Sequence, residues 1–399
     1  MGYYKNLQLE LESRGYGQIG KFICPNCVED ADLRQWVEQN PSIENDIECD
    51  YCGEITQCIP VENLIEKILR RIEEDYGNPD DVGVYYDDET DSYDTPIYDT
   101  EEIVSNYLCE SDELMQDIID TIYCENWCDK NPYRLSEKEQ LLYSWEHFAN
   151  TVKYKNRYLF FVEKSDKHSE YLCPVDILKT INSGCNKFNL IETIPSGTTF
   201  YRAQFIGKRD LNKLTDKRLG APPASKAKGN RMSAEGISVF YGANDEETCI
   251  IEVTPDIDDK KGQKFIKNKK LVVAEFENVE NIKVLNLCAI DNLIRPGLFA
   301  NEDESQEKRN LIIFLQTLNK KLSIPIKDLH NIEYVPMQVL AEYFKNIAHI
   351  QGIRYNSSKS RKCNCIVLFY DNSQCTQDDT KLRWLKKQKL KLLNYKIIE

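Results

Sequence analysis

Histidine is scarce in this chain, with four copies in 399 residues. Neither His147 nor His168 sits in an HExxH or similar ligand pattern, and so few imidazoles argue against a histidine-centred catalytic triad. No apolar run reaches the roughly 18 residues that a membrane-spanning helix needs. The opening segment MGYYKNLQLELESRGYG lacks the apolar stretch of a secretory signal, and MGYYKN lacks the Ser or Thr of the myristoylation pattern. These absences lead to the expectation of a cytoplasmic protein with no membrane partner. Positive charge is in deficit, with a net charge of −15. That balance argues against nucleic-acid binding over the surface as a whole but leaves room for a local basic pocket. A GxGxxG dinucleotide fingerprint is also missing.

The length gives room for two or three domains, each with its own core. Cysteine is abundant, with fifteen copies, and the spacing says more than the number. Cys24 and Cys27 form one Cys-x-x-Cys pair, and Cys49 and Cys52 form another, with residues 28–48 between them. Two such knuckles suit tetrahedral zinc, each short loop delivering two thiolates while a helix over Asp30 to Val37 brings the second pair back. The spacer slightly exceeds the usual range, and Cys58 is an alternative ligand. A redox pair of the thioredoxin kind fits less well, because one pair would suffice and no strand-helix-strand pattern surrounds it. Four sulfur ligands describe a closed site, which holds a fold and does no chemistry. Cys124 and Cys128 have no matching second pair and read as core cysteines.

Between residues 59 and 77, Val61, Leu64, Ile65, Ile68 and Ile72 recur at helical spacing, with Pro60 suited to the first turn. The acidic, tyrosine-studded stretch near 77–102 reads as a solvated, partly flexible connector, or as an acidic surface for a basic partner. Helical patterns resume over 103–123 and again from Ser136, where Ser136-x-x-Glu139 is a capping box. From about Ser196 short strands mix with helices: TFYRAQF, ISVFYGA, LVVAEFE, NIKVLNL, GIRYNS and CIVLFY. Their order is not simply alternating, which predicts an α+β domain. The basic segment 381–399, with aromatics among lysines, reads as a solvated helix face or a terminal strand ahead of a nucleic-acid contact.

The stretch GNRMSAEGISVFYGANDEETCIIEV, residues 229–253, sets Glu252 among Ile250, Ile251 and Val253. A carboxylate in such company is costly unless it is paired or directed into a cleft. Alternation along ISVFYGA puts Val239 and Tyr241 on one face and Phe240 on the other. Asn244 is placed to cap the next helix, with Glu247 completing the box and Pro255 stopping it. Arg202 in FYRAQ and Arg231 are the candidate cations. Singly, Arg202 reads as a surface residue at a strand end, Tyr241 as core, and Glu252 as half of a structural ion pair.

Together, FYRAQ, the block around Arg231, Tyr241 and Glu252, and GIRYNSSKSRKCNCIVLFY resemble the three blocks of the RES domain, named for its Arg, Glu and Ser. The N-terminal half, with its Cys-x-x-Cys pairs and helices, resembles the HEPN/RES N-terminal domain. The resemblance implies a C-terminal catalytic domain over 191–375 with an ADP-ribosyltransferase-like fold. Ahead of it come a zinc knuckle over 1–60 and a mainly helical region over 61–190, and a basic tail over 376–399 follows. Residue by residue it implies that Arg202, Glu252 and Ser357 are catalytic, and that Arg202, Arg231, Tyr241 and Ser357 bind NAD as a consumed substrate. Ser358 is an alternative to Ser357, because RKCNC replaces the glycine that often precedes the last strand.

The activity so implied is cleavage of the nicotinamide–ribose bond, in a bacterial toxin or antiviral defence effector held by an antitoxin or regulatory protein. A homo-oligomer is a further partner reading. The rival readings are an ADP-ribosyltransferase acting on a protein or nucleic acid, and an inactive zinc-stabilised binding module. A HEPN-type ribonuclease needs an arginine four to six residues before a histidine, which this sequence lacks.

Overall fold

The computed structural model describes residues 14–41, 46–108, 110–164, 169–256, 258–300, 305–323, 331–357, 359, 365–377 and 388–398. The chain divides into two compact units, Met1–Glu137 with Arg295–Asn310, and Lys138–Ile294 with Leu311–Glu399.

The first unit is mainly helical. Helix α1 (Ala31–Gln39) starts at Asp30, whose carboxylate accepts from the Asp32 and Leu33 backbone N–H groups. Helix α2 (Val61–Asp75) buries Leu64, Ile65, Ile68 and Ile72 along one face, the stripe that the sequence spacing predicts. The single helical stretch expected over 103–123 is two helices, α3 (Thr100–Tyr107) and α4 (Asp112–Thr121). Leu108, in extended backbone, ends the first, and Ser111 caps the second. All four helices share one core with Trp127 and Phe299.

The acidic stretch near 77–102 is more ordered than a flexible connector. Tyr86–Asp87 pairs with Ser92–Tyr93, and Tyr98–Asp99 pairs with Trp127 and Asn126. Tyr98 supplies anchorage, meeting the Tyr76 ring edge-on at 5.9 Å.

The second unit opens with helices α5 (Glu137–Asn150) and α6 (Pro174–Lys187). Strands β1 (Ile191–Ile194), β2 (Thr199–Gly207) and β3 (Phe240–Ala243) follow, then helix α7 (Glu246–Val253) and strands β4 (Lys269–Asn278) and β5 (Ile282–Asn286). Helices α8 (Ser305–Ser323) and α9 (Val335–Asn346) lead to β6 (Gly352–Tyr355), β7 (Cys365–Leu368) and β8 (Leu390–Ile398). Among the described residues these eight strands form one sheet, in the order β1-β5-β6-β7-β3-β2-β4-β8. Every pair is antiparallel except β5–β6, whose parallel pairing needs the long crossover that α8 and α9 supply. This is the expected α+β class.

Period-two alternation divides the sheet's two faces. Leu285, Ile353 and Val367 face a core made with Trp145, Phe148, Ile177, Leu178, Phe314 and Phe344 of the helices. Val284, Ile366, Leu368, Phe200 and Phe240 face the opposite core. Helices α5 and α6, part of the mainly helical region expected over 61–190, close the helical layer over the sheet and fall with it in one compact unit. The expected basic tail over 376–399 is, over Leu390–Ile398, the edge strand paired with β4, while residues 378–387 lie outside the described residues.

Candidate active site

Strands β2 and β3 are neighbours, yet they meet in register only at Tyr201↔Ala243, whereas β2 follows β4 from Thr199 to Gly207. The two strands splay apart, and Arg202 occupies the split. Its Nη1 donates to the Tyr241 carbonyl at 2.5 Å, and its guanidinium lies 5.5 Å from the centre of the Phe240 ring. Its Nε is buried with no hydrogen-bond partner. Burial pulls its pKa below the ordinary arginine value, and the like charge of Arg218 acts in the same direction. No carboxylate pairs with Arg202 among the described residues.

Helix α7 delivers Glu252 from the strand's other neighbour. The expected cap at Asn244 shifts by one residue: the Asp245 carboxylate accepts from the Thr248 N–H at 2.7 Å and from the Thr248 hydroxyl at 2.9 Å. Asp245 holds the extended backbone that a cap requires and Asn244 does not serve the role, although both side chains have the right chemistry. The helix ends at Thr254, next to Pro255.

Arg202, Tyr241 and Glu252 line one cavity of about 320 Å³, so the structure brings together three of the residues singled out from the sequence. No cation pairs with Glu252 among the described residues. Its carboxylate accepts from the Ser357 hydroxyl and from the Cys365 thiol. Ser357 is buried, and its oxygen also accepts from the Lys359 backbone N–H at 3.1 Å. It is absent from the cavity wall, so it reaches the site through Glu252. The alternative, Ser358, lies outside the described residues.

Arg231 is likewise not a lining residue, but its neighbour Asn230 is, and its positive charge reaches the buried hydroxyls of Tyr241 and Tyr355. The Tyr241 hydroxyl accepts from the Met232 N–H at 3.1 Å and lies 3.4 Å from the Ser233 hydroxyl. Burial raises its pKa above the usual phenol value.

Asn230, Tyr355, Cys249 and Cys365 complete the wall, and none stood out in the sequence. Tyr355 sits in the quoted GIRYNS block, and pairing of β6 with β7 sets it opposite Cys365. Burial pushes the Tyr355 hydroxyl well above the ordinary phenol range, and the negative Glu252 reinforces it. Gln338 of α9 also escaped sequence reasoning. Its amide donates to the carbonyls of Asn230 at 2.7 Å and Ser233 at 3.2 Å, fixing the turn that carries Arg231. Gly242 lines the cavity where the backbone is closely packed: a Cβ there would meet the Phe240 ring and the Tyr201 carbonyl, each at 2.8 Å.

In the first unit, Cys24, Cys27, Cys49 and Cys52 have all four sulfurs within 4.8 Å of one another and can hold a metal ion. Each pair sits on a tight turn: Cys27 N–H donates to Cys24 C=O at 3.1 Å, and Gly53 N–H donates to Cys49 C=O at 2.8 Å. Gly53 adopts φ 73°, which favours glycine. Cys58 stands outside the cluster, its thiol donating to the Ile47 carbonyl at 3.5 Å.

Residues 199–389 match the family described as the RES domain, and residues 43–166 match HEPN/RES N-terminal domain 1. The chain belongs to the RES-domain family and carries the N-terminal HEPN/RES region that accompanies it. Among solved structures, a chain of the crystal structure of the M. tuberculosis MbcT–MbcA toxin–antitoxin complex is similar at 14% identity, over 55% of this chain and 91% of that one. The TM-score is 0.30, too low to equate the two folds. No curated protein matches the chain. No helix among the described residues is long and apolar enough to cross a membrane.

Proposed function

We propose that this protein degrades NAD by breaking its nicotinamide–ribose bond, in the cavity lined by Arg202, Tyr241 and Glu252. The observation that carries the reading is a half-buried cation, its Nε shielded from water, and a carboxylate in one cavity, neither paired with an opposite charge among the described residues. Opposite charges kept apart in a shared cleft are available to a ligand that bears both signs. NAD is such a ligand, with a cationic pyridinium and an anionic pyrophosphate.

In this reading Arg202 and Arg231 hold the pyrophosphate, and the Tyr241 ring stacks on the nicotinamide. As the glycosidic bond breaks, its electron pair passes to the ring nitrogen and positive charge grows on the ribose, as in glycoside cleavage. The Glu252 carboxylate stabilises that charge, and the low dielectric of its apolar neighbours strengthens the effect. Ser357 and Cys365 orient the carboxylate by donating to it. Nicotinamide leaves, and an acceptor attacks the ribose carbon.

The four-cysteine cluster fits structural zinc. Zinc–sulfur bonds of about 2.3 Å in a tetrahedron put sulfurs about 3.8 Å apart, and Cys24–Cys27, Cys24–Cys52 and Cys49–Cys27 are 3.6, 3.7 and 3.7 Å apart. Bound there, zinc would cross-link the two turns and hold the first unit's fold. RES family membership further supports a cytoplasmic toxin, neutralised by an antitoxin protein.

Proton NMR of NAD with the purified protein tests the reaction. Wild type is expected to release nicotinamide, and Glu252→Gln, which keeps the shape and removes the charge, to lose about 10²–10³-fold in turnover. Unchanged turnover in Glu252→Gln would sink the assignment. The ribosyl product names the acceptor: free ribosyl products mean degradation, and label fixed to a macromolecule means ADP-ribosyl transfer.

A further inference from the structure

The segment between β2 and β3 carries more charge than the cavity described above uses. Its Leu211, Leu214 and Leu219 pack on the sheet face opposite the helices and fasten it there. Together with Arg202 it encloses a second cavity of about 540 Å³, lined by Lys213, Lys217, Arg218 and Lys226, with Asp210 as the carboxylate in its wall. None of these five cations pairs with a carboxylate among the described residues. In a chain of net charge −15, such a grouping departs sharply from the average surface.

Part of the wall is preset. Arg218 Nη1 donates to Gln204 Oε1 at 2.9 Å, and Gln204 Nε2 donates to the Leu219 carbonyl at 2.8 Å, so the guanidinium is held on a hydrogen-bonded chain from β2. Like charges held this close repel, and Arg218 acts against the charged form of Arg202. An anion in the cavity relieves that repulsion and gains charge-assisted hydrogen bonds. Arg202 lines both cavities, and the orphan Nε of its guanidinium still lacks an acceptor. The second cavity therefore adjoins the first at a residue that the NAD reading assigns to the pyrophosphate. Four more cations beyond that point exceed what a pyrophosphate of two single charges requires.

We propose that this second cavity is a subsite for a dianionic phosphate, carried as the 2′-phosphate of the dinucleotide or arriving as free inorganic phosphate. The 2′-phosphate source rests on the NAD-cleaving reading; the anion subsite itself does not. It makes a phosphorylated dinucleotide the better substrate if the phosphate arrives on the ligand.

Isothermal titration calorimetry on the full chain tests it, with ADP-ribose, ADP-ribose 2′-phosphate and inorganic phosphate as separate probes. The triple variant Lys213→Gln/Lys217→Gln/Lys226→Gln alters three exposed side chains, and its melting temperature reports that it folds. Wild type is expected to bind the 2′-phosphorylated ligand about tenfold tighter than ADP-ribose. The variant loses that gain and keeps its affinity for ADP-ribose. If the 2′-phosphate adds nothing, yet free phosphate binds wild type and not the variant, the proposal stands with inorganic phosphate as the source. Equal affinity for the two nucleotides, with phosphate binding absent or untouched by the substitutions, overturns it. Nicotinamide release from NAD is scored separately, so phosphate binding without any release would sink the NAD reading and leave the subsite intact.

Discussion

Replacing Arg202 with methionine should separate stability from binding, in opposite directions. Its guanidinium is largely withdrawn from water and has no carboxylate partner among the described residues, so the ligand-free protein bears a desolvation cost of several kcal/mol. Against that stand the hydrogen bond to the Tyr241 carbonyl, about 1.5–3 kcal/mol for a charged donor, and the contact with Phe240, about 1 kcal/mol. Methionine has similar length, fills the split between β2 and β3, and removes the charge. The difference leaves Arg202→Met neutral to about 2 kcal/mol more stable, which for a unit of this size raises Tm by up to about 5 °C. The ligand side moves the other way: losing a buried charged contact to phosphate costs about 2–5 kcal/mol, a loss of roughly 30- to several-thousand-fold in affinity. Scanning calorimetry with and without ADP-ribose reads both effects. Wild type should melt higher with ligand, and Arg202→Met should melt at or above the wild-type apo value with no ligand shift. A variant that melts well below wild type while still responding to ADP-ribose would refute the argument that this charge is kept for an anion.

Ser357→Ala removes one donor to Glu252 and should lower kcat about 10- to 100-fold with KM little changed, while Ser357→Thr restores most of it; equal loss in both variants would assign Ser357 a packing role. Dialysis against a strong chelator, or Cys49→Ser, should release zinc measurable by elemental analysis and melt the first unit's helical signal in circular dichroism; a chain that carries no metal as purified refutes the zinc assignment. Burial pushes the thiols of Cys185 and Cys249 up to about 12 from an ordinary 9.0. Their contribution to stability is complete below about pH 9 and is lost as pH rises towards 12, so denaturant midpoints should fall across that window and alkylation at pH 8 should spare both; rapid modification of either in the native state would contradict it.

Much of the site could be read along the chain because its signals are local. An acid among Ile250, Ile251 and Val253 marks itself by cost, and alternation along β3 fixes which face Tyr241 takes. The helix cap was harder to read, because Asn244 and Asp245 offer the same chemistry and backbone angles decide between them. Tyr355 and Cys365 join the wall through pairing across the sheet and Asn230 through a turn held by a distant helix, none of which spacing reveals. Gln338 acts from a helix whose sequence reads as ordinary core. The packing of α5 and α6 was hidden for a similar reason: the surface that they cover is made much later in the chain. A terminal strand was one of two readings of the basic segment, and LKLLNYKII, an edge strand without clean alternation, offered no pattern to choose it over a solvated helix face.

The strand order has a bearing on how the protein is made in the cell. Strand β7 comes late in the chain, yet it sits between β6 and β3, and Cys365 at its start touches Glu252. A nascent polypeptide that has emerged only as far as α9 has Arg202, Tyr241 and Glu252 but lacks the strand that joins them to Tyr355. Folding must wait for contacts between distant parts of the sequence. If the cavity consumes NAD, the ribosome holds a harmless intermediate through most of translation, and any frameshift or premature stop ahead of residue 365 yields an inert product. On that condition, the order of assembly delays any activity until the last stretch of the sheet has been made.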